Sequence, residues 1–416
     1  VKIVCIGGGP AGLYFAISAK RRDPAHEVTI VERSREGATY GWGVVYWDNL
    51  LDMLFTNDFE SARAIRGASR LWQDQDIRMG DDVAHLAGYG YSITRARLLE
   101  ILGRRARDLG VELRHGEPVD DLDRFAQADV VVCADGAAST VRTAHQAEFG
   151  TTLVPGRNRY MWLGTTKMFD RFTFAFQPTA AGWLWFHAYP SAGNSSTCII
   201  ETTEDTWRAH GFAHRDTADT LAELDKLFHD PLDGHPLIAA NRADVTPGDP
   251  ARWERFTEVS NDRWYHRNLV LIGDAAHTTH FTIGSGTRLA MIDSMALAQA
   301  LYEHPSDVGA ALHTYDKRRR PPMRNTQASA RASMDWFEHV DAYTDRDVVD
   351  FAYAMSSRQG EQPPWRYQKH VLNQVGGVLW GRRMVNTARR WQGAARRGEP
   401  VLPGSLLRAV GVPARG

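Results

Sequence analysis

Cysteine is scarce in this chain, with three in 416 residues. Three thiols cannot staple a chain of this length. Cys5, Cys133 and Cys198 also sit in apolar, strand-like runs. Buried free thiols in a reducing compartment are expected, which makes the cytoplasm the expected address. An excess of one charge is missing too: 49 basic and 50 acidic residues leave a net charge of −1. That balance excludes a global field favouring nucleic acid or an anionic membrane. No apolar run reaches the ~18 residues of a membrane span. This sequence starts on a strand pattern, so no secretory leader is expected in it. Disorder is excluded by ordinary proportions, 43% apolar and 24% charged residues. Lysine is rare as well: only six of the 49 basic residues are lysine, so arginine dominates. Nothing in the sequence fixes an oligomeric state.

What is there is an α/β pattern, of a length that suggests about two to three domains. Residues 1–34 read strand, glycine-rich turn, helix, strand. Leu98, Leu99, Ile101 and Leu102 fall at helix spacing within 95–108, and a strand follows at 111–114. Residues 129–134 and 268–272 are short apolar runs of the kind buried on both faces. Residues 159–164, 172–176, 183–189 and 196–202 are β-rich runs separated by turn residues, which predicts an antiparallel sheet. Helices are expected at 216–230, at 286–302 and over an arginine-rich stretch from 313. The expected architecture is a Rossmann-like nucleotide-binding domain (1–155 and 255–312), an inserted antiparallel β-sheet substrate domain (156–254) and a helical C-terminal region (313–416).

Gly7-Gly8-Gly9-Pro10-Ala11-Gly12 matches G-x-G-x-x-G after a strand and at the start of a helix, the context the motif requires. Gly7 suits a tight turn, Gly9 a close backbone approach to a pyrophosphate, and Gly12 close helix–strand packing. The helix N-terminus, from Pro10 and Ala11, then meets the phosphates. Glu32 closes the second strand 20 residues after Gly12, with Arg33 beside it. Its carboxylate is placed to accept from a ribose hydroxyl. This motif alone does not separate FAD from NAD.

Two later segments decide between them. Ala134-Asp135-Gly136 leads to Arg142, and Ile272-Gly273-Asp274-Ala275-Ala276-His277 follows another strand. With the N-terminal motif, in this order, they resemble the class A flavoprotein aromatic hydroxylases of the para-hydroxybenzoate hydroxylase type, over roughly residues 1–340. The resemblance implies non-covalent FAD, with Asp274 on the ribityl chain. It implies Asp135 and Arg142 serving FAD and the pyridine nucleotide, and Arg95 of an R-x-x-L pattern touching FAD. Gly43-Val44-Val45, within Gly-Trp-Gly-Val-Val, resembles the segment that lays backbone against the isoalloxazine. A surface turn is the alternative there.

The chain departs from the family after Asp274. Prolines usual in that loop are replaced by His280 and Phe281 in the run 278–286, which ends on Gly284 and Gly286. This variant, with 41–45, 156–164 and Trp336-Phe337-Glu338, resembles a smaller group. That group contains salicyloyl-CoA 5-hydroxylase, the monooxygenase part of 2-aminobenzoyl-CoA monooxygenase/reductase and the tryptophan-side hydroxylase of the violacein pathway. The 416 residues fit the length expected of a stand-alone hydroxylase.

The family chemistry implies NADH or NADPH as co-substrate and a flavin C4a-hydroperoxide as electrophilic oxygen donor toward an electron-rich ring. Such a site must exclude water. Alternation along 183–189 puts Trp183, Trp185, His187 and Tyr189 on one face of a strand. That face either lines the substrate pocket or is a second buried face. His187 and Trp185 are therefore candidates, and His280 is expected near the flavin. His277 and His280, like His210 and His214, lack a third ligand at suitable spacing, so no metal is expected. Arg382, Arg389 and Arg396 are seven apart, as are Arg383, Arg390 and Arg397. A continuous helix would group all six on one face, suited to the polyphosphate of coenzyme A or simply solvated.

The expected activity is hydroxylation of an aryl-CoA thioester such as salicyloyl-CoA at C5. The alternative is an indole or tryptophan-derived substrate. A flavin halogenase is disfavoured because no lysine lies between Lys20 and Lys167. A reductase of isoprenoid double bonds and a non-enzymatic dinucleotide sensor are the remaining rivals.

Overall fold

The computed structural model describes residues 1–38, 41–191, 193–239, 251–360 and 362–399. The far end of the expected helical region, 400–416, lies outside the described residues.

The first sheet has six strands in the order Tyr265–His266, Leu269–Leu271, Val130–Cys133, Lys2–Ile6, Glu27–Glu32, Glu112–His115. All neighbours are parallel except the Tyr265–His266 edge. Its central strands are short apolar runs because helices cover the sheet; Ile3, Cys5, Val130, Val132 and Val270 are fully buried. Ile6 pairs with Val31 and Cys133, and Cys133 pairs with Leu271. Residues 7–12, 134–142 and 272–286 therefore leave the sheet at one edge. Strand order reverses around Lys2–Ile6, so this edge is the switch point where such sheets bind ligands.

The second sheet has eight strands in the order Leu237–Ala239, Arg159–Thr165, Ser196–Thr202, Gly182–Pro190, Phe172–Thr179, Arg70–Met79, Asp82–Thr94, Gly43–Tyr46. The four runs expected within 159–202 are present and antiparallel. The expected boundary at 155/156 does not separate the two sheets. A long hairpin, Arg70–Met79 with Asp82–Thr94, and the strand Gly43–Tyr46 join the second sheet from inside the first segment. The hairpin is masked in the sequence by its polar residues, including Asp74 at φ 65° in a register shift.

Both faces of this sheet are covered. Leu184, Phe186 and Ala188 pack on the helix Thr217–Leu227 and on Phe228. Phe176 and Trp185 on the other face pack under Phe337 and Phe351. These come from the helices Val308–Glu338 and Val348–Ser357. Of two further helices, Trp365–Leu372 packs on Val348–Ser357 and Gly376–Arg396 lies against the hairpin; between them Gln374 Nε2 donates to His85 O at 3.0 Å.

Candidate active site

One cavity of about 1220 Å³ joins the sheet edge, the loop 278–287, the second sheet and the C-terminal helices. Gly7 turns at φ +110°, and a Cβ there would lie 2.3 Å from Ala134 O. A Cβ on Gly12 would lie 2.1 Å from Gly7 O, so only glycine lets the helix Pro10–Arg22 start so close to the strand. By contrast, a Cβ on Gly9 would meet only Arg95 Nη2, at 3.9 Å, and Gly9, Pro10 and Ala11 line the cavity. Glu32 is held in place by two backbone donors, Gly8 N at 2.7 Å and Ser34 N at 2.8 Å. The cradle therefore fits a dinucleotide phosphate on the helix N-terminus.

The second half of the cradle hangs on a buried network. Asp293 accepts from Gly273 N, pairs with His277 Nε2 at 2.7 Å and binds Arg319 Nε at 2.9 Å. Gly273 sits at φ +60°, where glycine is favoured. Asp274 is left open to the cavity. It lies deep in the fold, and removal from bulk water raises its carboxyl pKa, against the lowering effects of His277 and Arg95. Arg95 opens its own helix, Arg95–Asp108, and is drawn by both Asp274 and Glu32. No atoms lie near a Cβ built on Gly286, and Ser285, Gly286 and Thr287 line the cavity at the start of the helix Gly286–Glu303. A Cβ on Gly284 would strike Trp47 at 2.9 Å. Gly43 presses its backbone on the second sheet, with Tyr189 Oη donating to Gly43 O at 2.8 Å. Gly43, Val44 and Val45 thus form a cavity wall. Arg95, Asp274 and these glycines together fit FAD.

Beyond the cradle is an aromatic chamber. Phe172 stacks on Tyr189 at 5.2 Å, and His187 lies 4.7 Å from Phe174 and 5.7 Å from Phe281. Tyr160 lies 4.8 Å from Phe281. All six side chains line the cavity. Behind His187 is Glu201, 1% exposed, with Oε2 3.5 Å from His187 Nε2. Trp185 Nε1 donates to Glu201 at 3.1 Å and Asn158 Nδ2 at 2.8 Å. Burial works against the Glu201 carboxylate, but hydrogen bonding to His187, the nearby His280 and the Asn158 bond hold its pKa below the ordinary value, while burial lowers the pKa of His187. His187 is a neutral base backed by a carboxylate, and no described residue hydrogen-bonds its Nδ1.

The structure separates the other sequence candidates from this chamber. Trp185 is fully buried, stacked on Phe337 at 5.9 Å, and does not line the cavity. Its strand face splits lengthwise: Trp185 lies under the C-terminal helices, whereas His187 and Tyr189 reach the cavity. His280 is also off the wall. Its Nδ1 pairs with Thr282 Oγ1 at 2.8 Å, its ring meets Phe256 at 4.9 Å, and it faces a small separate pocket. Burial lowers its pKa to about 4. Asp135 Oδ2 caps Thr140 N at 2.9 Å, a turn role, and Arg33 is exposed. Arg142 bonds backbone carbonyls of Ala137 and Ala275, tying the two motif loops together. The arginine stripe divides. Arg383 is held by Asp74, and Arg397 by Asp52 at 2.7 Å and Glu399 at 3.1 Å. Only Arg382 of the six lines the cavity.

Sequence reasoning missed Glu201, whose only signal was its place on an apolar strand, and Arg358. Arg358 lines the cavity with Nε on Ser333 Oγ at 2.7 Å and Nη2 on Thr282 O at 2.9 Å. No described carboxylate pairs with it, and burial lowers its pKa to about 10.

A family profile described as FAD binding domain matches residues 106–330, and one described as Lycopene cyclase protein matches residues 2–159. Salicyloyl-CoA 5-hydroxylase of Streptomyces sp is 39% identical over 82% of this chain, and the match spans 66% of that protein, just short of two thirds. The 3-hydroxy-4-methyl-anthranilyl-[aryl-carrier protein] 5-monooxygenase of Streptosporangium sibiricum is 35% identical, over 88% of this chain and 96% of that one. Among solved structures, 2-methyl-3-hydroxypyridine-5-carboxylic acid oxygenase superposes with a TM-score of 0.66, covering 86% of this chain and 95% of that one; at 20% identity this shows the fold alone. The chain belongs to the FAD-dependent aromatic hydroxylase family. It is a flavin-dependent monooxygenase, and its cofactor is FAD.

Proposed function

We propose that the chain hydroxylates an ortho-hydroxy- or ortho-aminobenzoyl thioester of the salicyloyl-CoA type, para to the donor group, using NADH or NADPH and O2. One oxygen atom enters the ring C–H bond as hydroxyl. The other leaves as water, taking up the hydride of NAD(P)H (two electrons and its hydrogen) and one proton from solution. FAD, when bound, supplies the activated oxygen. The observation that carries this reading is a single cavity that joins the FAD cradle, an aromatic chamber and a basic mouth. The chamber holds the ring between aromatic faces and excludes water. His187 accepts the proton of the ring donor, and Glu201 stabilises the imidazolium so formed. Gly7, Gly9, Gly12, Glu32, Arg95 and Asp274 hold FAD without a covalent bond. The two thioester hydroxylases among the relatives support the substrate class. Three free, buried thiols support a reducing compartment, the cytoplasm.

Arg358 favours a second reading. A buried cation without a described carboxylate partner suits a free aryl carboxylate as well as a thioester carbonyl. The test is purified, FAD-loaded protein with NADH or NADPH and a panel of salicylate, anthranilate, their CoA thioesters and indoles. Rapid NAD(P)H oxidation with a CoA thioester, coupled to a product heavier by one oxygen, is expected. Faster coupled turnover of a free acid or an indole would overturn the thioester assignment.

A further inference from the structure

The C-terminal helices carry the cations that the ion pairs leave over. Arg366 and Lys369 sit three residues apart on the helix Trp365–Leu372, hence on one side of it. Their charged ends lie 5.6 and 5.7 Å from the Trp365 ring. Arg382, on the helix Gly376–Arg396, lines the same cavity. None of the three has an ion-pair partner among the described residues. The nearby carboxylate Asp74 is taken by Arg383. Arg382 is drawn toward Asp74 without an ion pair to it, so the three cations on the cavity wall remain open to an anion.

The cavity wall runs from the aromatic chamber to this cluster along one stretch of chain. Thr282 binds Arg358, and Gln359 and Gln362 continue the wall to Trp365. The Gln359 side chain matches an amide of an uncharged arm, Gln362 accepts from Arg366 and donates to Gly360 O, and the cations match what ends the arm. We propose that Arg366, Lys369 and Arg382 form the subsite for the phosphate that ends the pantetheine arm of the thioester. This rests on the thioester reading above. Free coenzyme A and a carrier protein both present that phosphate.

The experiment uses the FAD-loaded protein and one aryl group on three carriers: N-acetylcysteamine, which has no phosphate, coenzyme A, and a phosphopantetheinylated carrier protein. The ratio of kcat/KM for a phosphate-bearing thioester over the N-acetylcysteamine thioester is read in wild type and in the Arg366→Gln/Lys369→Gln/Arg382→Gln variant. The three side chains are at the cavity mouth, so FAD content and melting temperature serve as controls for folding; a single Arg382→Glu variant is the second probe. The ratio is expected to fall at least about tenfold in the variant, and in wild type to fall as salt rises. Loss in one arm only supports the subsite and identifies the carrier. An unchanged ratio in both arms, with thioesters still turned over, would overturn the subsite while leaving the thioester reading intact. Turnover of free acids or indoles but of no thioester would instead overturn the reading beneath it.

Discussion

Replacing Asp274 by alanine removes one carboxylate from the FAD cradle and little else. The turn around it is held independently, through Gly273 N on Asp293 and the bond from His277 to Asp293. A hydrogen bond from a ligand hydroxyl to a charged group contributes about 1.5–3 kcal/mol. At about 1.4 kcal/mol per tenfold, the dissociation constant of FAD should rise roughly 10- to 150-fold. Titration of apoprotein with FAD, followed by flavin fluorescence, measures it. The pH dependence gives a second check. Burial raises the Asp274 pKa in the folded apoprotein, so the native state binds this proton more readily than the unfolded chain. Ionising Asp274 therefore works against apoprotein stability, and that loss is relieved as pH falls through the raised pKa. FAD hydroxyls favour the ionised form, so wild-type affinity should weaken over the same fall in pH. The gap between wild type and Asp274→Ala should close with it. An unchanged dissociation constant at neutral pH, or a gap that persists at low pH, would refute the assignment.

Glu201→Gln should slow coupled hydroxylation about 10- to 100-fold at unchanged FAD content, the ~1.4–2.8 kcal/mol of a lost charged partner for His187. Its amide also turns an N–H toward Trp185 or Asn158, so the melting temperature should drop; wild-type turnover in a folded variant would remove Glu201 from the proton path. His280→Ala should lower stability by about 1 kcal/mol through loss of the Thr282 bond, with peroxide release unchanged, whereas His187→Ala should raise it. Increased uncoupling in His280→Ala would bring that ring back to the reacting centre.

The FAD half of the site was legible because its signals are local. Gly7 and Gly12 are required by close backbone contacts, Gly9 leaves the helix start open to the cavity, and Asp274 follows a buried strand directly. The strands at 159–202 were legible for a similar reason: apolar alternation and turn residues mark each one. The hairpin 70–94 was not, because Asp74, Asp76 and Arg78 interrupt its apolar pattern; Asp76 pairs with His85 inside the hairpin, and the other partners of Asp74 and Asp76 come from distant segments. Arg171 supplies one of them, with Nη1 on Asp76 at 2.8 Å. The face of the strand Gly182–Pro190 shows the same limit. Alternation correctly groups Trp185 with His187, but whether each meets a helix or a cavity is decided by Phe337, far along the chain.

The arginine stripe carries that limit to the substrate end. A seven-residue spacing groups side chains along a helix, but it says nothing of the carboxylates that other segments bring. Asp74 reaches Arg383 across 309 positions of sequence, and Asp52 reaches Arg397 across 345. These pairs convert one row of the stripe into the attachment of the C-terminal helix to the hairpin and to the helix Asp48–Asn57. Cations on a surface favour an anion only when no carboxylate has already met them. Arg366 and Lys369, which no heptad marks, meet that condition, and Arg382 feels Asp74 without an ion pair to it. Under the proposed subsite, recognition of a carrier phosphate depends on which cations the first hundred residues leave unpaired. Neutralising Asp74 should free Arg383 beside Arg382 and loosen the helix together, so anion binding and helix attachment at this mouth are coupled through one carboxylate.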